Sequence, residues 1–201
     1  MKETRHVWTD LLAGLAVAAL GVTPGLATSM TPQSVAELTR ASHDIVVGTV
    51  SRVTEGSQGN LPYLEVEVSV SETIQGTPAR TLTFRQPGLQ SRQEAANGRR
   101  FVGLIPAMPG FTAGENVILF LGPTSSMGFR TTVGLEQGKF AVAAGNAANA
   151  AGNTGLFRGV TTGTVTPTEK QAAMLATRQG GVHARTFIDF VRQGVQQHWW
   201  K

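Results

Sequence analysis

The feature that most constrains the fold is an unbroken apolar run, VILFL at residues 117–121, which follows the turn sequence PGFTAGEN. Successive side chains of a β-strand point to opposite faces, so a strand with one wet face alternates apolar and polar residues. This run does not alternate. We therefore predict a strand that is covered on both of its faces.

Three earlier segments are predicted to be strands that pair as an antiparallel meander. The first, residues 44–53, is rich in β-branched residues and contains Gly48, which indicates a bulge or a sharp bend. The second and third, residues 63–74 and 80–86, alternate apolar and polar residues. Tyr63, Glu65 and Glu67 are predicted to face outward, and the inward-facing residues are predicted to be Leu64, Val66, Val68, Val70, Leu82 and Phe84.

The composition favours a turn-rich β protein over a helical bundle. Glycine is frequent, at 24 of 201 residues, whereas charged residues make up only 15%. Hydrophobic residues make up 41%, which is enough for a substantial core. The net charge of +4 comes from scattered residues, and Arg99-Arg100 is the only basic doublet, so the sequence has no nucleic-acid footprint.

Helices are predicted at both ends of this β region. A short N-terminal helix is capped either by Thr31 or by the capping box of Ser34 and Glu37. In the C-terminal part, Thr166 is predicted to cap a helix that continues to Gln179. A second helix has one apolar face, formed by Ala184, Phe187, Ile188, Val191 and Val195. We predict that this face covers the outer side of residues 117–121.

The N-terminus has the organisation of an export signal. A polar opening with Lys2 and Arg5 precedes the apolar stretch of residues 11–22, and Gly25-Leu26-Ala27 supplies the small residues of a cleavage site. We predict cleavage after Ala27 and a secreted or periplasmic protein; an uncleaved membrane anchor is the alternative. The chain has no cysteine, which excludes disulfides, thiol catalysis and cysteine-based zinc sites.

These features divide the chain into three parts. Residues 1–27 are the predicted signal peptide, and residues 28–165 form the β domain. Within that domain the Ala-, Gly- and Asn-rich residues 144–155 are predicted to be a flexible loop, and residues 156–160 a last strand. Residues 166–201 are predicted to form a helical segment that packs on the outside of the β domain.

Four stretches of the chain, ASHDIVVGTVSRV, YLEVEVSVSETIQG, LTF and GENVILFLG, resemble netrin-like modules, which include the inhibitory domain of the tissue inhibitors of metalloproteinases. Together with QGKFAV, they are also similar to uncharacterised secreted bacterial proteins. The resemblance covers residues 35–142. It implies a mainly β fold: an OB-like five- to six-stranded antiparallel barrel, with the helices packed outside.

A β scaffold without a recognised catalytic motif predicts a binding function, and the resemblance adds protease inhibition as an alternative. We expect a secreted, non-catalytic interaction module whose partner is another extracellular or envelope protein; the alternative is an inhibitor or accessory protein of an extracellular metalloprotease. The inhibitors chelate the protease zinc through an N-terminal, disulfide-anchored cysteine. Because this chain has no cysteine, that mechanism cannot be carried over.

Few residues suit catalysis, and no common catalytic motif is present. The predicted mature chain has three histidines and two aspartates. His43 and Asp44 fall at a helix-to-strand corner where adjacent side chains diverge, so Asp44 is predicted to cap a turn. Glu65 and Glu67 share a strand face at a spacing that suits a carboxylate pair, but a solvated face is the favoured interpretation. We expect no enzyme activity, no metal, no cofactor and no nucleic-acid partner.

Two segments are candidates for the interaction surface. The long excursion of residues 88–114 contributes Arg92, Arg99, Arg100, Met108 and Phe111. The alternative for this segment is a crossover whose apolar end plugs the barrel. The C-terminal tail contributes Trp199 and Trp200, which suit a membrane interface or a partner groove; the alternative is that they fold back over the barrel.

Overall fold

The structure is a computed structural model that describes residues 31–90, 92–94, 100–102 and 105–200. The predicted signal peptide and its cleavage site lie outside the described residues. The helices are α1 (Val35–Ala41), α2 (Glu169–Leu175) and α3 (Ala184–Gln196). The strands are β1 (Asp44–Gln58), β2 (Leu61–Gln75), β3 (Thr81–Pro87), β4 (Arg92–Glu94), β5 (Arg100–Val102), β6 (Asn116–Leu121), β7 (Lys139–Ala143), β8 (Asn146–Asn149) and β9 (Val182–His183).

The protein is mainly β, as the sequence predicts. Seven strands form one antiparallel sheet in the order β3-β2-β1-β6-β7-β8-β9, and β4 and β5 pair separately as a hairpin. The predicted OB-like barrel is not confirmed, because β3 and β9 are the two ends of this hydrogen-bonded order within the described residues. Between β6 and β7, the chain forms two isolated bridges, from Phe129 to Arg85 and from Thr132 to Leu121.

The predicted meander of β1, β2 and β3 is confirmed, and its first two strands form a hairpin of 15 residues each. The pairing of β1 with β2 shifts register beside Gly48, where the sequence predicts a bulge. A side chain at this position would collide with the carbonyl oxygen of Ser69 on β2. Glycine therefore allows the two backbones to approach closely where the hairpin bends.

The unbroken apolar run forms β6, and both of its faces are buried as predicted. Ile118 and Phe120 belong to a core shared with the three helices, where the ring of Phe120 lies 6.4 Å from that of Phe187 on α3. The alternate residues Val117, Leu119 and Leu121 belong to a second core on the opposite face. The predicted cover by α3 is therefore confirmed.

The helix boundaries follow the capping chemistry only in part. Ser34 caps α1 in a capping box with Glu37, which decides between the two predicted caps. The predicted cap of α2 at Thr166 is wrong, since Thr168 caps the helix with Gln171 at the same spacing. The predicted extension to Gln179 is also wrong, because the backbone near the end of this segment bonds elsewhere: the amide of Gly180 donates to Gly152 O at 2.7 Å.

The segment predicted to be a flexible loop, residues 144–155, is structured and contains β8. Asn149 and Asn153 are buried and bond reciprocally, each backbone amide donating to the other side-chain oxygen at 2.9 and 2.8 Å. The side-chain nitrogen of Asn153, Nδ2, also donates to Ala147 O and to Gly180 O. Residues 156–160 form turns and not the predicted last strand. Low-complexity composition is compatible with order here because paired amides satisfy the buried backbone.

Candidate functional site

The predicted interaction residues of the excursion separate in the structure. Arg92 lies in β4 and Arg100 in the paired β5, while Arg99 and the side chains of both other arginines lie outside the described residues. Phe111 is buried in the second core, with its ring 5.6 Å from that of Phe84, and Lys139 Nζ lies 4.8 Å from its ring centre. At the apolar end of the excursion, Phe111 is therefore a core residue and not part of an open surface.

Met108 is half-buried beside Phe111 and lines a small cavity with Gln86 and Leu89. Gln86 is buried, and its side-chain nitrogen donates to Pro109 O at 2.7 Å. This contact anchors the excursion to β3. Met108 thus contributes to packing more than to the open surface.

The C-terminal tryptophans fold back onto the helices. Trp200 is 6% exposed, its indole nitrogen donates to Thr161 O at 2.9 Å, and its ring lies 5.6 Å from that of Phe190. Trp199 is half-buried and packs on the same phenylalanine at 5.4 Å. The fold-back alternative therefore describes both residues, and Trp200 is withdrawn from the surface.

We expect the substitution Gly194→Ala to displace Trp200 from α3. An added Cβ at this position would lie 2.5 Å from the Trp200 ring, so the ring must move toward water. Trp199 and Trp200 are the only tryptophans after residue 27, so the emission of the mature protein reports on this contact. We expect a red shift of the emission maximum. Gly181→Ala, where the added Cβ makes only ordinary contacts, is the matched control; unchanged emission in Gly194→Ala would contradict the docked tail.

A different surface stands out at the far end of the β1–β2 hairpin. Three large apolar side chains are strongly exposed among the described residues: Leu61 at 45%, Ile105 at 40% and Met127 at 49%. Gln58 joins two of them, since it pairs with Leu61 across the hairpin and its side-chain nitrogen donates to Met127 O at 3.3 Å.

Aromatic residues extend this surface along β2. The ring of Tyr63 lies across Gly56 of β1, where any side chain would collide with it, and its centre is 6.2 Å from that of Phe129. The Arg85 guanidinium stacks 4.8 Å from the Tyr63 ring centre. We call the residues Leu61, Tyr63, Arg85 and Met127 the tip surface; Phe129 is buried, at 8% exposure, and supports the Tyr63 ring from below.

Two arginine–glutamate ion pairs lie at or beside the tip surface. Arg85 Nε donates to Glu65 at 2.8 Å, and Arg52 donates to Glu67 at 3.0 Å. The hydrogen bond to Glu65 raises the pKa of Arg85 above its ordinary value. Both carboxylates of the predicted acidic pair are therefore occupied by arginines on a partly solvated strand face.

The corner at His43 and Asp44 differs from its prediction. The two side chains do not diverge, since His43 Nδ1 lies 3.1 Å from Asp44 Oδ2. Asp44 forms a buried ion pair with Arg130, whose Nε donates to Gly122 O at 2.7 Å. Burial alone would raise the pKa of Asp44, but the hydrogen bonds from Arg130 and His43 outweigh it and lower the pKa. The ion pair therefore links β1 to Arg130, in the segment between β6 and β7.

The tip surface escaped the sequence analysis, although a signal for it exists. Leu61 and Met127 are large apolar residues inside the polar turn sequences GNLP and SSMG. A large apolar residue in a polar turn is a candidate for an exposed contact, and the fold decides whether it stays in water. Tyr63 was placed on the outward face of β2, but its stacking with Arg85 depends on the pairing with β3.

The residues that the structure describes contain no group of three or more His, Asp or Glu side chains placed to hold a metal ion. Among them there is also no helix long and apolar enough to cross a membrane. The chain matches no protein-family model, no curated protein and no solved structure.

Proposed function

We propose that the protein is an exported, non-catalytic binding module that recognises another extracellular or envelope protein through the tip surface. The observation that carries this proposal is the cluster of Leu61 and Met127, both about half exposed, around Gln58. Exposed apolar side chains that adjoin one another on a soluble domain mark contact sites for partners.

The residue types of the tip surface support a protein partner. Tyrosine and arginine are enriched among the residues that dominate binding free energy. Tyr63 is held between Gly56, Phe129 and the Arg85 guanidinium, so little side-chain freedom is left to lose on binding. An anchored aromatic ring beside the exposed Leu61 and Met127 suits a complementary apolar pocket on the partner.

We also propose that residues 129–133 act as the closing edge of an OB-like barrel. The support is topological. Phe129 bridges β3 in a parallel sense and Thr132 bridges β6 in an antiparallel sense. Two backbone bonds follow the same path, Arg130 N to Arg85 O at 2.7 Å and Val133 N to Phe120 O at 2.8 Å. This segment places Phe129 and Met127 beside the β1–β2 hairpin.

Double substitution of Leu61→Ser and Met127→Ser is expected to weaken partner binding at least about tenfold, because each change removes apolar area that the partner would cover. The bait is the exported form, whose N-terminus we expect at Thr28. A partner captured from the envelope fraction is purified, and its Kd is measured by surface plasmon resonance for each variant. The melting temperature should hardly change, since both residues are exposed.

The matched control is Arg40→Ser, an exposed residue on α1 that the proposal leaves outside the contact. It should bind like the unchanged protein. A partner that binds the double variant with unchanged Kd would overturn the assignment of the tip surface. Retention of the full-length chain in the membrane would overturn the exported form.

A further inference from the structure

A cleft of about 580 Å³ lies between the turn of residues 155–158 and the end of α2. We call it the arginine cleft and define it by Phe157, Arg158, Leu175, Ala176 and Arg178. Its volume falls within the range of about 300–1,000 Å³ that is usual for small-molecule sites. Phe157 and Leu175 belong to or pack on the helical core, so the wall that they form is apolar and fixed.

Hydrogen bonds join the two walls of the arginine cleft. Asn153 Nδ2 donates to Gly180 O at 2.8 Å, and the Gly180 amide returns a bond to Gly152 O at 2.7 Å. The amide of Gly155 also points to Arg178 O, at 3.4 Å. The cleft therefore has its shape before any ligand enters, which lowers the entropic cost of binding.

The rim of the cleft carries two guanidinium groups. Arg158 uses one of its five N–H donors in a hydrogen bond to Pro32 O at 2.9 Å. The Arg178 side chain makes no hydrogen bond or ion pair with any residue that the structure describes. Glu37 attracts Arg158 through space, but its carboxylate is held by Ser34 in the capping box of α1. Donors for an incoming anion are therefore in place on both sides.

We propose that the arginine cleft binds a small amphiphilic anion, with an acidic head group between Arg158 and Arg178 and an apolar body against Phe157 and Leu175. Guanidinium groups bind carboxylate or phosphate oxygens through paired, charge-assisted hydrogen bonds. The apolar wall excludes water from the remainder of the ligand. This binding is independent of the tip surface.

Isothermal titration of the exported protein with octanoate tests the proposal, with 1-octanol and inorganic phosphate as the two partial ligands. We expect saturable, one-to-one binding of octanoate and much weaker binding of either partial ligand. Arg178→Gln and Arg158→Gln should each weaken octanoate binding by about tenfold or more, the loss of a charge-assisted bond. Ala176→Phe, at an exposed position that lines the cleft, should fill it and abolish binding.

The matched control is Arg80→Gln, an exposed arginine in the turn between β2 and β3, which should leave the titration unchanged. Melting temperatures measured by circular dichroism confirm that each variant is folded. The proposal is overturned if octanoate gives no saturable heat, or if the two arginine variants bind it as tightly as the unchanged protein. Equal affinity for 1-octanol would refute the role of the charge, and equal affinity for phosphate would refute that of the apolar wall.

Discussion

Replacing Phe187 with alanine is expected to lower the free energy of unfolding by about 3–5 kcal/mol, the usual loss when a large buried aromatic ring is removed. Phe187 is fully buried on α3, and its ring lies 4.9 Å from that of Phe140 and 6.3 Å from that of Phe157. Phe140 lies on β7, and Phe157 lies in a turn that hydrogen bonds hold in place. The cavity left by the Phe187 ring therefore cannot collapse easily. Urea unfolding followed by circular dichroism measures the loss.

Phe187→Leu is the matched control, because it keeps much of the apolar volume and should cost clearly less than the alanine substitution. Trp199→Ala removes a half-buried aromatic ring, and its loss of unfolding free energy is compared with that of the fully buried Phe187. A loss below about 1 kcal/mol for Phe187→Ala would be the size of an ordinary surface change. That result would contradict the cover of β6 by α3.

Replacing Asp44 with asparagine is expected to cost about 3–5 kcal/mol at neutral pH, because removing one partner of a buried ion pair leaves the other charge uncompensated. Arg130 is 8% exposed, and in this variant it keeps its bond to Gly122 O but faces a neutral amide where the carboxylate stood. The matched control is Asp189→Asn, whose aspartate is 41% exposed and pairs with the exposed Arg185 and the half-buried Arg192; it should cost under about 1 kcal/mol.

The same pair makes stability depend on pH in the acid range. The pKa of Asp44 is lowered on folding, so its contribution is complete above the ordinary aspartate pKa of about 3.9 and is lost as the pH falls through the lower, folded value. Urea midpoints of the unchanged protein should therefore decline more steeply below about pH 4 than those of Asp44→Asn. Parallel declines would show that the pair does not carry this dependence.

Much of the β architecture follows from short-range patterns. Leu64, Val66 and Val68 alternate with polar residues and enter the second core, because a strand with one covered face must place its apolar residues at every second position. The lack of alternation in β6 predicts two covered faces for the same reason. The apolar stripe of α3 then supplies the cover for one of them.

The candidate site could be predicted only in small part. Tyr63 was placed correctly on the outward face of β2, but its partners Arg85 and Phe129 come from β3 and from a segment 66 residues further along the chain. Conversely, Phe111 and Trp200 look like contact residues in sequence, yet both are buried. An apolar residue in a loop can enter a core or stay in water, and local sequence does not distinguish the two.

The sequence by itself determined that β1, β2, β3 and β6 are strands, which face of β2 and of β3 is apolar, and that β6 needs cover on both sides, since periodicity is a local property of the chain. The tertiary structure alone decided where α2 ends, that residues 146–149 form a strand, and that Asp44 meets Arg130. Each of these depends on a partner far along the chain: Gly152 for Gly180, β9 for β8, and Arg130 for Asp44. Hydrogen bonds and ion pairs need a geometry that only the assembled fold provides, and no local pattern encodes it.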